Sequence, residues 1–413
     1  MFRPLERLEE LIFRSIKISR ILWGWAFYDF ANTIFSAVVQ TFYFPLYLTQ
    51  ITGKNLYLGI STTLAMILAG LVVPWLGAVS DRTGKTKFYL VISTLLCVIA
   101  TSLLSLFVSP LPLIAGFLTA CFFYHASLVF YSALLPVAAE PDRQGFASGV
   151  GTGLGYLGVL FAMPVAHWVD SFLGRPFVFI TASILFLLFS IPLFLWTPER
   201  KVEHPLPATL NLFLQEWKRV FQTIGSLKNK PEISFFFLGN FLVVDAVNTV
   251  IFWLVIYMSR VFHLPQSSLL AVFLTLNFSA FLFGFIAGFL TDRFGSSRVY
   301  IAAAASLFVT ILVLGLTNEI RIFLTMAFFG GSFGFAGIWT AARKRVVELA
   351  PREAVGEYFG LYNLTTKISV IGSLIFSLLA DGFGFHTALL SQSVTCGAGL
   401  LFLIIAGRRT GQG

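Results

Sequence analysis

Twelve long apolar runs limit what this chain can fold into more than any other feature. They are Ile21–Leu48, Tyr57–Ser80, Phe88–Val108, Leu111–Ala138, Ala147–Val169 and Pro176–Trp196, then Ile233–Met258, Ser267–Thr291, Val299–Leu316, Ile322–Ala342, Tyr358–Ala380 and Thr387–Ala406. A helix needs about 20 apolar residues to cross the hydrocarbon of a bilayer. Strands of a lipid barrel would alternate apolar with polar over about ten residues, and these runs are longer and apolar on every face. The expected fold is therefore all-α, with twelve transmembrane helices. Composition agrees: 57% of the 413 residues are hydrophobic and 11% are charged, against roughly 25% charged in soluble domains. Cys97, Cys121 and Cys396 all fall inside the runs, which gives no disulfide framework and no redox compartment. The first run is too long for a cleavable signal core and follows a charged tail, so no signal is expected to be removed.

The net charge of +9 is a topology signal. Assigned to alternate sides of twelve spans, Lys and Arg divide 23 to 4, with Lys367 left inside a helix. Positive charge concentrates on the cytoplasmic side, so both termini are expected there. That placement argues against a nucleic-acid partner.

The chain also repeats itself. Asp29-Phe30-Ala31-Asn32-Thr33 returns as Asp245-Ala246-Val247-Asn248-Thr249, 216 residues later. Gly77-x-x-x-Asp81-Arg82-x-Gly84 returns as Gly288-x-x-x-Asp292-Arg293-x-Gly295, 211 residues later. Order and spacing persist, so the expected organisation is two six-helix bundles, 21–196 and 233–406. Cytoplasmic tails at 1–20 and 407–413 flank them, and a linker at 197–232 joins them. In the linker, Leu210, Phe213, Leu214, Trp217, Val220, Phe221, Ile224 and Leu227 share one helical stripe opposite Glu216, Lys218, Arg219 and Gln222. This reads as an amphipathic helix on the cytoplasmic leaflet. Leu5, Leu8, Ile12 and Ile16 give the first tail the same character. Parallel repeats of this kind are one way that membrane transporters are built.

Charge inside a membrane helix is costly, roughly 2.5–3.5 kcal/mol on insertion scales, and marks pathways. Four ionisable groups lie at depth: Asp29, His125, Asp245 and Lys367. At a rise of 1.5 Å per residue, Asp29 stands roughly 13 Å past Arg20, Asp245 roughly 20 Å past Glu232 and Lys367 roughly 15 Å past Glu357. Asn32 and Thr33 share a helix face with Asp29, and Asn248 and Thr249 share one with Asp245. Each half thus offers a carboxylate, an amide and a hydroxyl near mid-membrane. One reading makes Asp29 a proton carrier, since burial raises a carboxyl pKa and a nearby cation lowers it. The other makes each aspartate a packing group, and repetition favours that for Asp245. Lys367 can pair with either aspartate or hold an anionic group of a solute. His125 is either a packing group or a relay.

These motifs together resemble the major facilitator superfamily. Gly84-Lys85-Thr86-Lys87 continues its loop pattern. Within it, the chain resembles the family of vacuolar amino-acid effluxers linked to autophagy, which has many bacterial members. The carrying residues are Trp25-Ala26-Phe27-Tyr28-Asp29-Phe30-Ala31-Asn32, Tyr131-Ser132-Ala133-Leu134-Leu135-Pro136 and Gly153-Leu154-Gly155-Tyr156-Leu157-Gly158. Asp245 to Thr249 and Phe359-Gly360-Leu361-Tyr362-Asn363, followed by Lys367, complete the match. Trp339 and Gly372-Ser373 depart from the family, which usually has Gln and Gly-Pro there. The departures bear on substrate more than on fold.

The resemblance implies a secondary transporter in a bacterial inner membrane, monomeric, moving a small molecule such as an amino acid, with protons as a coupling ion. It implies that helices 1, 4, 7 and 10 line a central cavity, and it brings Tyr28 and Asn363 into the pathway. Gly77, Asp81, Arg82, Gly84, Lys85, Asp292, Arg293, Gly295 and Arg343 read as a cytoplasmic latch, in which an acid sits against the amino-terminal end of a helix from the other half, with Arg82, Arg293 and the cluster Arg343-Lys344-Arg345 as charge-assisted partners. Gly153-x-Gly155-x-x-Gly158 fits a dinucleotide fingerprint by letter, but no strand precedes it. With Gly151 it is a small-residue helix contact. No catalytic motif, cofactor or metal-ligand set is expected. Lipid flipping, or a sensor or scaffold role without turnover, are the rival readings.

Overall fold

The computed structural model describes residues 20–139, 144–199, 210–227, 229–350, 355–369 and 371–409. Each of the twelve runs forms a membrane-length helix, and no strand occurs among the described residues. The first six are α1 (Arg20–Thr52), α2 (Asn55–Thr83), α3 (Thr86–Leu103), α4 (Pro110–Ala133), α5 (Gln144–Leu173) and α6 (Arg175–Trp196). A linker helix follows at Leu210–Leu227. The second six are α7 (Pro231–Val261), α8 (Gln266–Phe294), α9 (Ser296–Leu316), α10 (Ile320–Leu349), α11 (Val355–Ile368 and Ile371–Phe383) and α12 (Phe385–Arg409). Prolines open α4, α6 and α7 within their first two residues, where the missing N–H has no helical partner to lose. Gly53 and Gly84 close α1 and α2 at φ 65° and 68°, a conformation that costs other residues energy.

Three spans depart from plain α-helix. α1 is wound as a π-helix over Phe35–Tyr43, and α10 over Ala327–Gly331. α11, expected as one run, is interrupted between Ile368 and Ile371.

Packing repeats between the halves. α1 lies on α6 as α7 lies on α12, α3 on α4 as α9 on α10, and α2 on α4 as α8 on α10. The halves meet along two seams, α2 against α11 and α5 against α8. Glycines set the closest approaches. A Cβ on Gly158 would stand 2.6 Å from the Phe30 carbonyl oxygen, and one on Gly155 2.9 Å from Thr33 Oγ1. The Gly151–Gly158 segment of α5 is thus the close contact with α1 that its spacing predicts. Large apolar side chains such as Leu106, Phe285 and Val394 point outward, as a lipid-facing surface requires.

One end of the molecule carries Arg20, Lys85, Arg298 and Arg408 and is here called the basic end. The opposite, far end carries the α1–α2, α5–α6, α7–α8 and α11–α12 turns. The linker helix is docked at the basic end. Trp217 Nε1 donates to the Leu71 carbonyl oxygen at 3.0 Å, and the Phe213 ring meets Trp75 edge-on. Leu214 and Phe221 of its apolar stripe stay exposed. The tail at 1–19 and linker residues 200–209 lie outside the described residues.

Candidate functional site

A cavity of about 330 Å³ separates the two halves, from mid-span toward the far end. Thr33, Ser36 and Thr41 of α1 form one wall, and Val250, Asn277 and Thr310 of α7, α8 and α9 contribute to the other. Among the described residues, no ionisable residue lines it. Its polar groups are hydroxyls and one amide on an apolar background. Both π segments face it, through Ala37 in α1 and Ala327 and Gly331 in α10. A π turn displaces backbone carbonyls from the α ladder, and hydroxyls take them up. Thr41 donates to Ser36 O at 2.8 Å, Ser279 to Phe328 O at 2.7 Å and Ser306 to Gly330 O at 2.9 Å.

The lining differs from what the family resemblance implies. α1, α7 and α10 are present, but α5, α8 and α9 join them and α4 contributes nothing. α4 packs on α2 and α3 inside the first half, which turns its polar face inward. His125 is accordingly buried there, its ring 5.0 Å from that of Tyr124. Tyr28 is also buried away from the cavity, with its hydroxyl 2.7 Å from Thr94 Oγ1 on α3.

Asp29 lies one helical turn from the cavity wall, on the basic side of Thr33. It is half-buried. Asn32 Nδ2 donates to its Oδ1 at 3.0 Å, and Thr33 Oγ1 donates to its main-chain oxygen at 2.7 Å. The other carboxylate oxygen lies beside Gly151 of α5, where the Tyr131 hydroxyl also converges. Trp25 closes the group: its ring stacks on Tyr131 at 4.4 Å and its Nε1 donates to Tyr131 O. Arg343 lies on α10 toward the basic end and is exposed.

The second copy has a different surrounding. Asp245 is buried and faces α11, not the cavity. Both its oxygens accept the Gly372 N–H, at 3.0 and 3.1 Å, so it caps the second segment of α11. Asn248 Nδ2 donates to Ser369 O at 2.8 Å and Thr366 O at 3.3 Å, at the end of the first segment. Aspartate and asparagine, three residues apart on α7, thus satisfy the two broken ends that the interruption exposes. Thr249 is fully buried beside them. A Cβ on Gly372 would sit within 2.8 Å of Asp245 Oδ2, Thr249 Oγ1 and Gln392 Oε1, so only glycine fits. Ser373, at the family's Pro position, accepts from Trp253 Nε1 at 3.0 Å and lies 2.8 Å from Thr62 Oγ1 of α2. The two sequence patches therefore do not face each other across the cavity.

The backbone at Lys367 and Asn363 lies in α11, and the side chains of both lie outside the described residues, as do those of Asp81 and Arg82. Asp292 pairs with Lys344 at 2.8 Å, both in the second half and both exposed. Lys344 belongs to the Arg343-Lys344-Arg345 cluster expected to offer charge-assisted partners, and α8 and α10 are neighbours, so this pair is local to the second half. Arg293 stands 5.5 Å from the Phe294 ring centroid. Gly84 ends α2, Lys85 precedes α3, and Gly295 turns α8 into α9 at φ 88°. Gly77 has open space at its Cβ position. Gln392 was not singled out by sequence and Tyr131 only as a motif residue of the resemblance, not as a site residue: neither is charged, and only the fold brings them to the aspartates.

Comparison with known proteins agrees with this architecture. A family described as "Vacuole effluxer Atg22 like" matches residues 139–405. The chain is 25% identical over 407 residues to an uncharacterized MFS-type transporter, YxiO, of Bacillus subtilis, covering 93% of this chain and 92% of that one. It is 23% identical to autophagy-related protein 22 of Yarrowia lipolytica over 57% of this chain and 45% of the relative. Among solved structures, a point variant of the nucleoside transporter NupG superposes with a TM-score of 0.77 at 12% identity, over 94% of this chain and 99% of that one. A D-xylose–proton symporter gives 0.68 at 15% identity, over 94% and 95%. The twelve-helix fold is that of the major facilitator superfamily, and the chain belongs to the Atg22-like family of vacuole effluxers within it.

Proposed function

We propose that this protein is a secondary active transporter that moves a small solute across a bacterial cytoplasmic membrane by alternating access. The cavity between the halves carries the reading. It is enclosed by helices of both, lined by hydroxyls on an apolar background, and bordered by a single half-buried carboxylate at Asp29. The apolar lining suits a solute with a compact apolar body, and the carboxylate of Asp29 toward the basic end suits an amino group. An amino acid or a related zwitterion has both parts. Asp29 is the proposed proton carrier: its few fixed partners let it respond as the halves rock. Asp245, engaged at a helix end, serves the architecture. The charge split supports a cytoplasmic basic end.

The packed seams speak against lipid flipping. Tyr156 of α5 meets Phe281 of α8 edge-on, and Thr62 of α2 bonds Ser373 of α11. A headgroup has no lateral opening at either contact.

The test is a thermal-shift screen of amino acids on purified protein, repeated with Val250→Trp, which fills the cavity. At least one neutral amino acid should raise the melting temperature of the parent and not of the variant. Equal shifts in both would place the solute elsewhere.

A further inference from the structure

The far end holds a second duplicated feature that the loop motifs do not include. At the end of α5, Asp170 Oδ2 accepts from the side-chain amide of Gln266, the first residue of α8 in the other half. At the end of α11, Asp381 accepts from Asn55, the first residue of α2 in the other half. The acids are displaced by 211 residues (381 − 170), and so are their amide partners (266 − 55). This is the displacement that relates Gly77 to Gly288 and Asp81 to Asp292. Each pair closes one of the two seams that join the halves.

The copies differ in how the acid is used. Asp381 Oδ1 accepts from Asn55 N at 3.1 Å and Asn55 Nδ2 at 2.8 Å, and Oδ2 from Leu56 N at 2.9 Å. It therefore caps α2 from across the seam, where its charge also meets the positive end of that helix. At the other seam Arg175 completes the network. It lies 3.7 Å from Asp170 and donates to Gln266 Oε1 at 3.1 Å and Gln50 Oε1 at 2.9 Å. Asp170 and Arg175 are both mostly buried, so the pair is shielded in a way that the exposed Asp292–Lys344 pair is not. Between the seams, Phe42 of α1 meets Phe273 of α8 at 5.6 Å. The Asp170–Gln266, Arg175–Gln266, Asp381–Asn55 and Phe42–Phe273 contacts cross between halves, while Arg175 holds Asp170 and Gln50 within the first half.

We infer that Asp170–Gln266 and Asp381–Asn55 are twin copies of one gate latch, which holds the far end of the cavity shut and must release for access to alternate. The idea rests on the alternating-access reading. Two latches related by the pseudo-twofold axis release in one rigid-body rotation, because the same rocking lengthens both seams. A single latch would leave a hinge on one side.

The experiment measures distances between spin labels in purified protein, with no solute. One pair, Phe172→Cys with Thr275→Cys, spans α5 and α8 at the far end. A second, Tyr57→Cys with Phe383→Cys, spans α2 and α11. A third, Lys85→Cys with Val347→Cys, spans the halves at the basic end. The native cysteines are buried and label poorly. In the double variant Asp170→Ala, Asp381→Ala, both far-end pairs should gain a longer-distance population and the basic-end pair a shorter one. Asp170→Asn with Asp381→Asn, which keeps the side-chain shape, should move the same way by less, and it decides the matter if the alanine variant does not fold. Parent-like distances in a monodisperse double variant would overturn the inference. So would far-end lengthening with no change at the basic end, which is local fraying. The distances are read without transport, so a protein that moves no solute would sink the transport reading and leave this test standing.

Discussion

Asp29 and Asp245 occupy the same place in two copies of one phrase and have different surroundings. Asp29 accepts one side-chain bond within its own helix. Asp245 caps a helix segment and sits where three oxygens crowd a glycine. Removing Asp245 leaves the buried Gly372 N–H without its acceptor, a loss of about 1–3 kcal/mol. Asp245→Ala should therefore lower the melting temperature in detergent well below that of the parent, and Asp29→Ala should change it little. Gly372→Ala should destabilise by about 1–3 kcal/mol, as overpacking does. Equal melting temperatures for the two aspartate variants would contradict the division of roles. The sequence located both carboxylates through the repeat and their depth. It could not separate them, because the difference lies across the helix interface: an unbroken α5 at Gly151, an interrupted α11 at Gly372.

At the scale of elements, the spans were legible and their irregularities were not. An apolar run of membrane length permits only a helix, and the observed end of α1 at Thr52 exceeds the expected Leu48 by a few residues. The break in α11 leaves no mark on hydropathy, since Ile368 and Ile371 continue the apolar pattern. Its signature is on α7, in the polar side chains that cap it. The π segments of α1 and α10 are equally silent, because their displaced carbonyls are satisfied by Ser and Thr hydroxyls that occur throughout the spans. The Gly151–Gly158 contact was legible from spacing alone. Gly158→Leu should force α1 and α5 apart and reduce monodisperse yield and melting temperature together, while the same change at Gly153, where a Cβ meets nothing, should be tolerated. The linker helix hangs on Trp217. Trp217→Ala should make tryptic cleavage at exposed Lys218 several-fold faster with the bundles intact, and unchanged cleavage would mean that the helix is held elsewhere.

For the whole molecule, duplication is the organising fact. Acid pairs recur at the 211-residue displacement at both ends, 81 with 292 and 170 with 381. The basic-end pair was found through its motif. The far-end pair was missed, because Asp-Ser-Phe at 170–172 and Asp-Gly-Phe at 381–383 are too short to stand out before the seams are known. Two similar halves around one cavity, with charge confined to its border, suit a machine that rocks about a fixed site. Proteoliposomes test that account most directly. Uptake of a labelled neutral amino-acid mixture would be followed with and without an imposed pH gradient, for the parent and for Asp29→Asn. The parent should concentrate solute only with the gradient, while the variant should equilibrate solute without concentrating it. Gradient-driven accumulation by Asp29→Asn equal to that of the parent would contradict the central claim.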